Sequence, residues 1–380
     1  MQNYADVPEL LRKLAPVDPV YCIYPHVYRA AARRFLDGFP GRVLYAVKAN
    51  NDPTVLRCLL DAGVGHFDCA SLPEIEQVRA LTPDAACYFM NPVRLPGTAA
   101  AAQQRFGVRH FVVDHATGLE SLLAEIDPRN AIVFARMAVS HETARVDLST
   151  KFGASPEDTI ALLEAIAGSG AEPALAFNVG SVVMSPAAYV HALEAARGVL
   201  EALPFPIRLL DIGGGYPKSY PGFEAPPLEA YFDAIRGFRD LPLAANGELL
   251  AEPGRALAAR GLSAVVRVLL RKDDRLYLND GMYGSFWELR FKVQTRFAAR
   301  AYRGDQPLDG ERAAFRLYGP TCDSGDMLPG DVELPANIRA GDWIEFGSIG
   351  AYSLHGRTDF NGFYSDTIVT IDAADSLPPA

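Results

Sequence analysis

Between about residue 26 and residue 258 the chain repeats one pattern eight times: an amphipathic stretch of helical spacing, then a short run that is apolar throughout. The first four pairs are VYRAAARRFLDGF with VLYAVKAN (43–50), PTVLRCLLDAG with HFDCAS (66–71), LPEIEQVRAL with ACYFMNP (86–92) and TAAAAQQRFG with HFVVDH (110–115). The next four are GLESLLAEI with AIVFARMAV (131–139), EDTIALLEAIAGSG with LAFNVGS (175–181), AAYVHALEAARGVLEAL with IRLLDIGGG (207–215) and LEAYFDAIRGFRDL with ELLAEPGR (248–255). Runs that do not alternate with polar residues belong to strands buried on both faces, as in parallel sheets covered by crossover helices. Eight such repeats predict an α/β fold built as a closed (β/α)8 barrel rather than an open doubly wound sheet.

After about residue 260 the texture changes to alternating strand pattern, in LSAVVRVLLRKDDRLYLNDG, RFAARAYR, AAFRLYGP, DWIEFGSIGAYS and DTIVTIDAA, with no long helical period. This predicts a C-terminal β domain, a barrel or sandwich. The isolated run PVYCIYP at 19–25, which follows a short helix and loop, is expected to join it. The expected division is therefore 26–258 for the barrel and 1–25 plus 259–380 for the β domain, in keeping with a length of 380 residues.

In a barrel of this kind, chemistry is built from polar residues at the carboxyl ends of the strands. That rule selects Lys48, Asp68, Asn91, Asp114, Arg136, Asn178, Ser181, Gly213, Gly214, Gly215, Glu252 and Arg255. Taken alone, Lys48 is most simply a strand-end lysine whose ammonium reaches water. A desolvated amine is also a nucleophile toward carbonyl carbon, so a covalent role stays open. Three consecutive glycines after a strand either make a tight turn or expose successive N–H groups that cradle a phosphate. The GxGxxG spacing of a dinucleotide site is absent. EPGR at 252–255 places a carboxylate and a guanidinium around a forced turn. They either flank that turn at the surface or serve a heterocyclic nitrogen and a phosphate.

Other classes are excluded by composition and spacing. The net charge is −10, from 46 acidic against 36 basic residues, and no Lys/Arg cluster marks a nucleic-acid footprint. No apolar run reaches membrane-spanning length, and the first residues lack the order of a signal peptide, so a cytoplasmic protein is expected. Five dispersed cysteines without a CxxC pair form neither a disulfide framework nor a zinc site. No metal is expected, and His110 and His115 read as structural.

Taken together, YAVKAN, FDCAS with Glu74 following, KFG at 151–153, DIGGGYP, EPGR, GPTCDSGDML at 319–328, GAYS at 350–353 and FNGF at 360–363 resemble the pyridoxal-phosphate-dependent ornithine/lysine/arginine decarboxylases. The resemblance runs in order along nearly the whole chain. It implies an alanine-racemase-like barrel with a β domain, pyridoxal 5'-phosphate as cofactor, and an amino-acid substrate. Lys48 would hold the cofactor covalently and Glu252 would pair with its ring nitrogen. Ser181, Gly213, Gly214, Gly215, Arg255 and Tyr352 would hold its phosphate. Asp68 and Glu74 would lie near the Lys48 amine, with Arg136 orienting the acids. Cys322, associated with protonation after carbon dioxide leaves, and Asp323, associated with the substrate's distal amine, would reach into the site of a second subunit. Tyr283 would lie close to the substrate. A homodimer with shared sites is implied.

Two positions depart from the family pattern. Asn178 in FNVGS stands where a histidine usually stacks on the cofactor ring, and it offers a much smaller planar face. Nine residues after Tyr283, where many ornithine decarboxylases carry an aspartate for the terminal ammonium, an ungapped count reaches Lys292. A lysine there favours an anionic distal group. Glu288, earlier in the same loop, supplies the missing charge if the loop is set differently. The resulting expectation is a decarboxylase of a basic L-amino acid. The alternatives are an atypical acidic or conjugated substrate, a racemase or oxidative variant, and a catalytically silent regulator.

Overall fold

A computed structural model describes residues 1–139, 142–146, 148–222, 224–238, 240–291 and 296–373. The chain divides into two compact units, one of residues 32–217 and 226–254, the other of residues 1–31, 218–225 and 255–380.

The first unit is a closed barrel of eight parallel strands. In chain order these are β1 (Arg42–Ala46), β2 (His66–Cys69), β3 (Ala86–Phe89), β4 (His110–Val113), β5 (Ile132–Met137), β6 (Glu172–Phe177), β7 (Ile207–Asp211) and β8 (Leu243–Ala251). Each predicted run contains one barrel strand; Asp68, Arg136 and Asp211 lie within theirs, whereas Lys48, Asn91, Asp114, Asn178 and Glu252 follow the end of the strand. The interior is packed by alternate residues, among them Leu44, Tyr88, Val112, Phe134, Ala176, Leu209 and Leu250, and so forms a core with no pore.

The amino-terminal mouth of the barrel is polar. Arg42 pairs with Glu248, which staples the first strand to the last, and its Nη1 donates to Tyr88 Oη at 3.0 Å. Tyr88 Oη lies 3.3 Å from His66 Nδ1, and the Tyr88 ring stacks on His110 at 3.8 Å and 22°. Burial, with nearby Arg42 second, pushes His110 down to about 3 and His66 down to about 4. Both rings are therefore neutral at physiological pH. These residues lie inside runs that read as plain strand, so nothing in the pattern advertised them.

The second unit is a ten-stranded sheet. Its central strand Leu262–Lys272 pairs antiparallel with Val20–Ile23, in register Ser263↔Cys22, and with Trp343–Phe346. Val20–Ile23 also pairs in parallel with Ile368–Ile371. Three of its strands lie outside the predicted runs. Asn3–Tyr4 and Gln306–Pro307 are too short to show a period, and Met327–Pro335 carries Pro329 and Gly330, which interrupt its alternation. Among the described residues no helix is long and apolar enough to cross a membrane.

Candidate active site

Strand β1 ends at Ala46, and Lys48 sits in the following single 3-10 turn, Val47–Ala49, rather than at a strand end. The polar residues after it explain the displacement. Asn50 Oδ1 accepts from Asp52 N at 3.0 Å, and Asp52 caps the helix Pro53–Asp61 by accepting from Thr54 N at 2.8 Å, with Pro53 in the first turn. Chain direction therefore changes right after Lys48. Its Nζ donates to Asp68 Oδ2 at 2.9 Å, and the Asp68 side chain is wholly buried at the end of β2, opposite Ala46 in register. A buried carboxylate facing an ammonium fixes both groups. Asp68 Oδ1 is buried and has no hydrogen-bond partner among the described residues.

Glu74 lies in the first turn of the helix Leu72–Leu81, capped by Ser71. Its Oε2 accepts from Ala70 N at 2.6 Å, so it is bound into the helix entry. Burial raises its pKa, the Ala70 N–H lowers it, and the Asp68 charge raises it again.

Behind Lys48 in the chain, the ends of β6, β7 and β8 carry the second group of candidates. Asn178 follows β6, and its Oδ1 accepts from Gly180 N at 3.0 Å, closing a turn that leads into the short strand Ser181–Val183. Ser181 thus belongs to this hairpin, paired with Ala144–Val146, and not to the barrel strand. The three glycines after β7 are demanded by close backbone approach. A Cβ on Gly213 would meet Phe177 O at 2.6 Å, one on Gly214 would meet Glu252 O at 2.5 Å, and one on Gly215 would meet Gly180 O at 2.8 Å. Gly213 and Gly215 also have φ of +69 and +104. Tyr189 Oη donates to Gly214 O at 2.6 Å, which holds the middle of the loop from below.

Asp211, the last residue of β7, is among the site residues whose survival disfavours a degenerate homologue, but at the end of an apolar run it shows no role of its own in the sequence. Its Oδ1 accepts from Gly213 N at 2.8 Å, and its Oδ2 is buried with no geometric hydrogen-bond partner among the described residues. Burial pushes its pKa up to about 7, against the Gly213 N–H, which lowers it. Glu252 is raised well above the carboxylate range, by burial first and then by the charges of Asp211 and Asp68. Lys48 and Arg136 pull Glu252 the other way. Arg136 lies on β5, its guanidinium 5.4 Å from the centre of the Phe152 ring. Asp114 accepts from Gly153 N at 3.0 Å, in the KFG stretch, and Asn91 Nδ2 donates to Ala70 O at 3.3 Å.

The sheet unit carries the remaining candidates. Arg255 is buried, donates from Nη1 to Tyr220 Oη at 3.1 Å and from Nη2 to Glu288 Oε1 at 2.5 Å, and lies over the Tyr352 ring at 5.1 Å. Its Nε is buried without a hydrogen-bond partner among the described residues. Tyr352 has φ +63, a left-handed conformation uncommon for an aromatic residue, and its carbonyl accepts from Trp287 Nε1. Tyr283 donates its hydroxyl to Asp323 and stacks on Phe360 at 4.5 Å. Asp323 is held below the usual carboxylate range, by the Gly325 N–H first and Tyr283 second. Cys322 is exposed, its Sγ 3.4 Å from Asn361 Oδ1. Lys292 lies outside the described residues. Tyr220, Trp287 and Tyr189 were missed because each is an aromatic residue in a loop or helix whose role is to hold a neighbour.

These features fit a phosphorylated heteroaromatic cofactor. In the barrel unit the glycine loop leaves room only for backbone, as an anion cradle requires, and in the sheet unit Arg255 Nε is buried without a hydrogen-bond partner among the described residues. A carboxyl at the end of β8, with its pKa raised by burial, suits a ring nitrogen. Among the described residues no group of His, Cys, Asp and Glu could hold a metal ion.

Comparison with known proteins agrees. Residues 26–259 match the family described as pyridoxal-dependent decarboxylase, pyridoxal binding domain, and residues 260–350 match its C-terminal sheet domain. The chain is 33% identical over 346 residues to the ornithine decarboxylase of Schizosaccharomyces pombe, covering 86% of this chain and 77% of that one. It is likewise 33% identical over 346 residues to the lysine/ornithine decarboxylase of Selenomonas ruminantium, covering 87% and 84%. The crystal structure of the Paramecium bursaria Chlorella virus arginine decarboxylase bound to agmatine superposes with a TM-score of 0.85 at 28% identity, covering 97% and 99%. The chain belongs to the pyridoxal-phosphate-dependent ornithine/lysine/arginine decarboxylase family.

Proposed function

We propose that this member acts on a basic L-amino acid of the ornithine or lysine type, releasing carbon dioxide and a diamine. The observation that carries the reading is the Lys48 ammonium held 2.9 Å from the wholly buried Asp68, on the barrel rim that also bears the glycine loop and Glu252. Lys48 supplies the amine that anchors the cofactor, and Asp68 keeps that amine in place and can take or return its proton at Oδ2. Pyridoxal phosphate, when bound, supplies the sink for the electron pair left by departing carbon dioxide. Glu252 pairs with the ring nitrogen, and Asp211 lies close by at the end of the neighbouring strand β7. Ser181, Gly213, Gly214, Gly215, Arg255 and Tyr352 serve the phosphate.

Asp323, exposed and ionised, receives the distal ammonium, and the Cys322 thiol returns a proton to the carbon that lost its carboxylate. Both act in the site of a second copy of the chain, so the working form is a two-fold dimer. Asn178 favours a second reading. Its carbonyl is spent on the Gly180 turn and its amide face is small, so control over which face of the substrate carbon is protonated is relaxed, and a racemase-like or oxidative variant follows. A silent regulator is disfavoured by the survival of Lys48, Asp68, Arg136, Asp211, Glu252, Arg255 and Cys322 together.

The test is the visible absorption of purified protein with added pyridoxal phosphate, for the parent and Lys48→Ala, followed by carbon dioxide release from ornithine, lysine, arginine and an acidic analogue. The expected result is a band lost in Lys48→Ala and turnover of one cationic substrate. No band in the parent would refute the enzyme reading. Turnover of the acidic analogue alone would refute the substrate class.

A further inference from the structure

The group assigned above to a phosphate already has an anion on it. Arg255 Nη2 and Glu288 Oε1 are 2.5 Å apart, and the side chains are 5% and 4% exposed. A buried guanidinium requires a counter-ion, and here the chain provides one. It also aims it. Glu288 lies in the 3-10 helix Trp287–Phe291, whose first residue is fixed twice: its indole nitrogen donates to Tyr352 O, and its ring packs where a Cβ on Gly356 would come within 1.7 Å of Cε2. Tyr220 takes the other terminal nitrogen at 3.1 Å, and Arg255 Nε is buried without a hydrogen-bond partner among the described residues.

A phosphate and a carboxylate cannot both sit against one buried guanidinium without strong mutual repulsion. We propose that Glu288 is a built-in stand-in for phosphate, holding Arg255 until the cofactor's phosphoryl group exchanges with it. This rests on the reading that Arg255 serves the cofactor's phosphate, and it adds that loading is an anion exchange. The carboxylate must leave the guanidinium as the phosphate arrives. Affinity for phosphate is thereby lowered, and the fold of this segment is kept sound in either condition.

The experiment uses the full-length protein stripped of cofactor. Dissociation constants are measured for pyridoxal phosphate, pyridoxal and inorganic phosphate in the parent, Glu288→Gln and Glu288→Asp, together with thermal melting with and without inorganic phosphate. The expected outcome is that Glu288→Gln binds pyridoxal phosphate and inorganic phosphate about tenfold or more tightly, while pyridoxal, which lacks the phosphate, is unchanged. Its cofactor-free melting point falls, and phosphate raises it by more than in the parent. Glu288→Asp, one methylene shorter, moves in the same direction by less, which keeps the test alive if the glutamine variant does not fold. Unchanged or weaker phosphate affinity in either variant would overturn the proposal, as would an equal change for pyridoxal. A purely structural ion pair predicts a lower melting point with no phosphate-specific gain. A parent protein that binds pyridoxal phosphate no better than pyridoxal would instead refute the assignment of Arg255 to the phosphate.

Discussion

His110 provides a quantitative test of the barrel's polar mouth. Its ring is stacked on Tyr88 and is pushed down to about 3, by burial first and then by Arg42, Arg109, His66 and Arg208. In the unfolded chain the same ring titrates near its ordinary value of about 6.5. A histidine whose folded value is depressed favours the native state fully above the unfolded value and progressively less as pH falls toward the folded one. At pH 4.5 the unfolded chain binds a proton that the folded chain refuses, over a gap of about two pH units. That corresponds to about 2.7 kcal/mol, which partial solvent access to the ring trims to about 2 kcal/mol. His110→Phe keeps the stack and removes the proton. Urea unfolding of both proteins between pH 7.5 and 4.5 should show the parent losing about 2 kcal/mol more than the variant, with the divergence beginning below pH 6.5. Both tryptophans, Trp287 and Trp343, lie in the sheet unit, so their fluorescence is the wrong probe. Helical circular dichroism follows the barrel, which holds most of the long helices. Parallel pH profiles for the two proteins would refute the reasoning.

Three further outcomes are expected. Gly214→Ala, whose Cβ would meet Glu252 O at 2.5 Å, should raise the pyridoxal phosphate dissociation constant about tenfold or more by equilibrium titration, with thermal melting separating this from loss of fold. Glu248→Gln removes the partner of Arg42 at the seam between β1 and β8 and should cost about 1–2 kcal/mol by urea unfolding, the side chains being only about two-thirds buried. Lys48→Ala and Cys322→Ala, each inactive alone, should regain about a quarter of parental activity when mixed and allowed to exchange subunits, because one site in four is then intact. No recovery on mixing, with exchange confirmed by mass, would refute sharing of the site.

The barrel was legible because its signal is redundant. Eight separate runs each report double-sided burial, and an error in one leaves the count nearly intact. Lys48 was legible as a type but misplaced by a turn, since the Asn50 and Asp52 bonds that end the strand are local geometry that periodicity does not encode. The glycine loop needed neighbours to become specific. The requirement on Gly214 comes from Glu252, thirty-eight residues on, and becomes visible only when β7 and β8 are side by side. Asp211 and Glu288 were the least legible in role. A carboxylate at the end of an apolar strand, and another in a connecting loop, look solvated until burial and a partner at 2.5 Å show otherwise.

The seam of the barrel also sets an order of assembly. Arg42 and Glu248, which join β1 to β8, are 206 residues apart, and the sheet strand Val20–Ile23 must wait longer still, for Leu262–Lys272 and Ile368–Ile371. While the chain is being made, β1 therefore keeps one edge unpaired until about half of the protein has followed it. An exposed parallel edge is a template for the wrong partner, and closing so long a loop is slow. Renaturation at high concentration should accordingly fail by association through β1, and a chain cut before residue 243 should aggregate rather than persist as an open sheet.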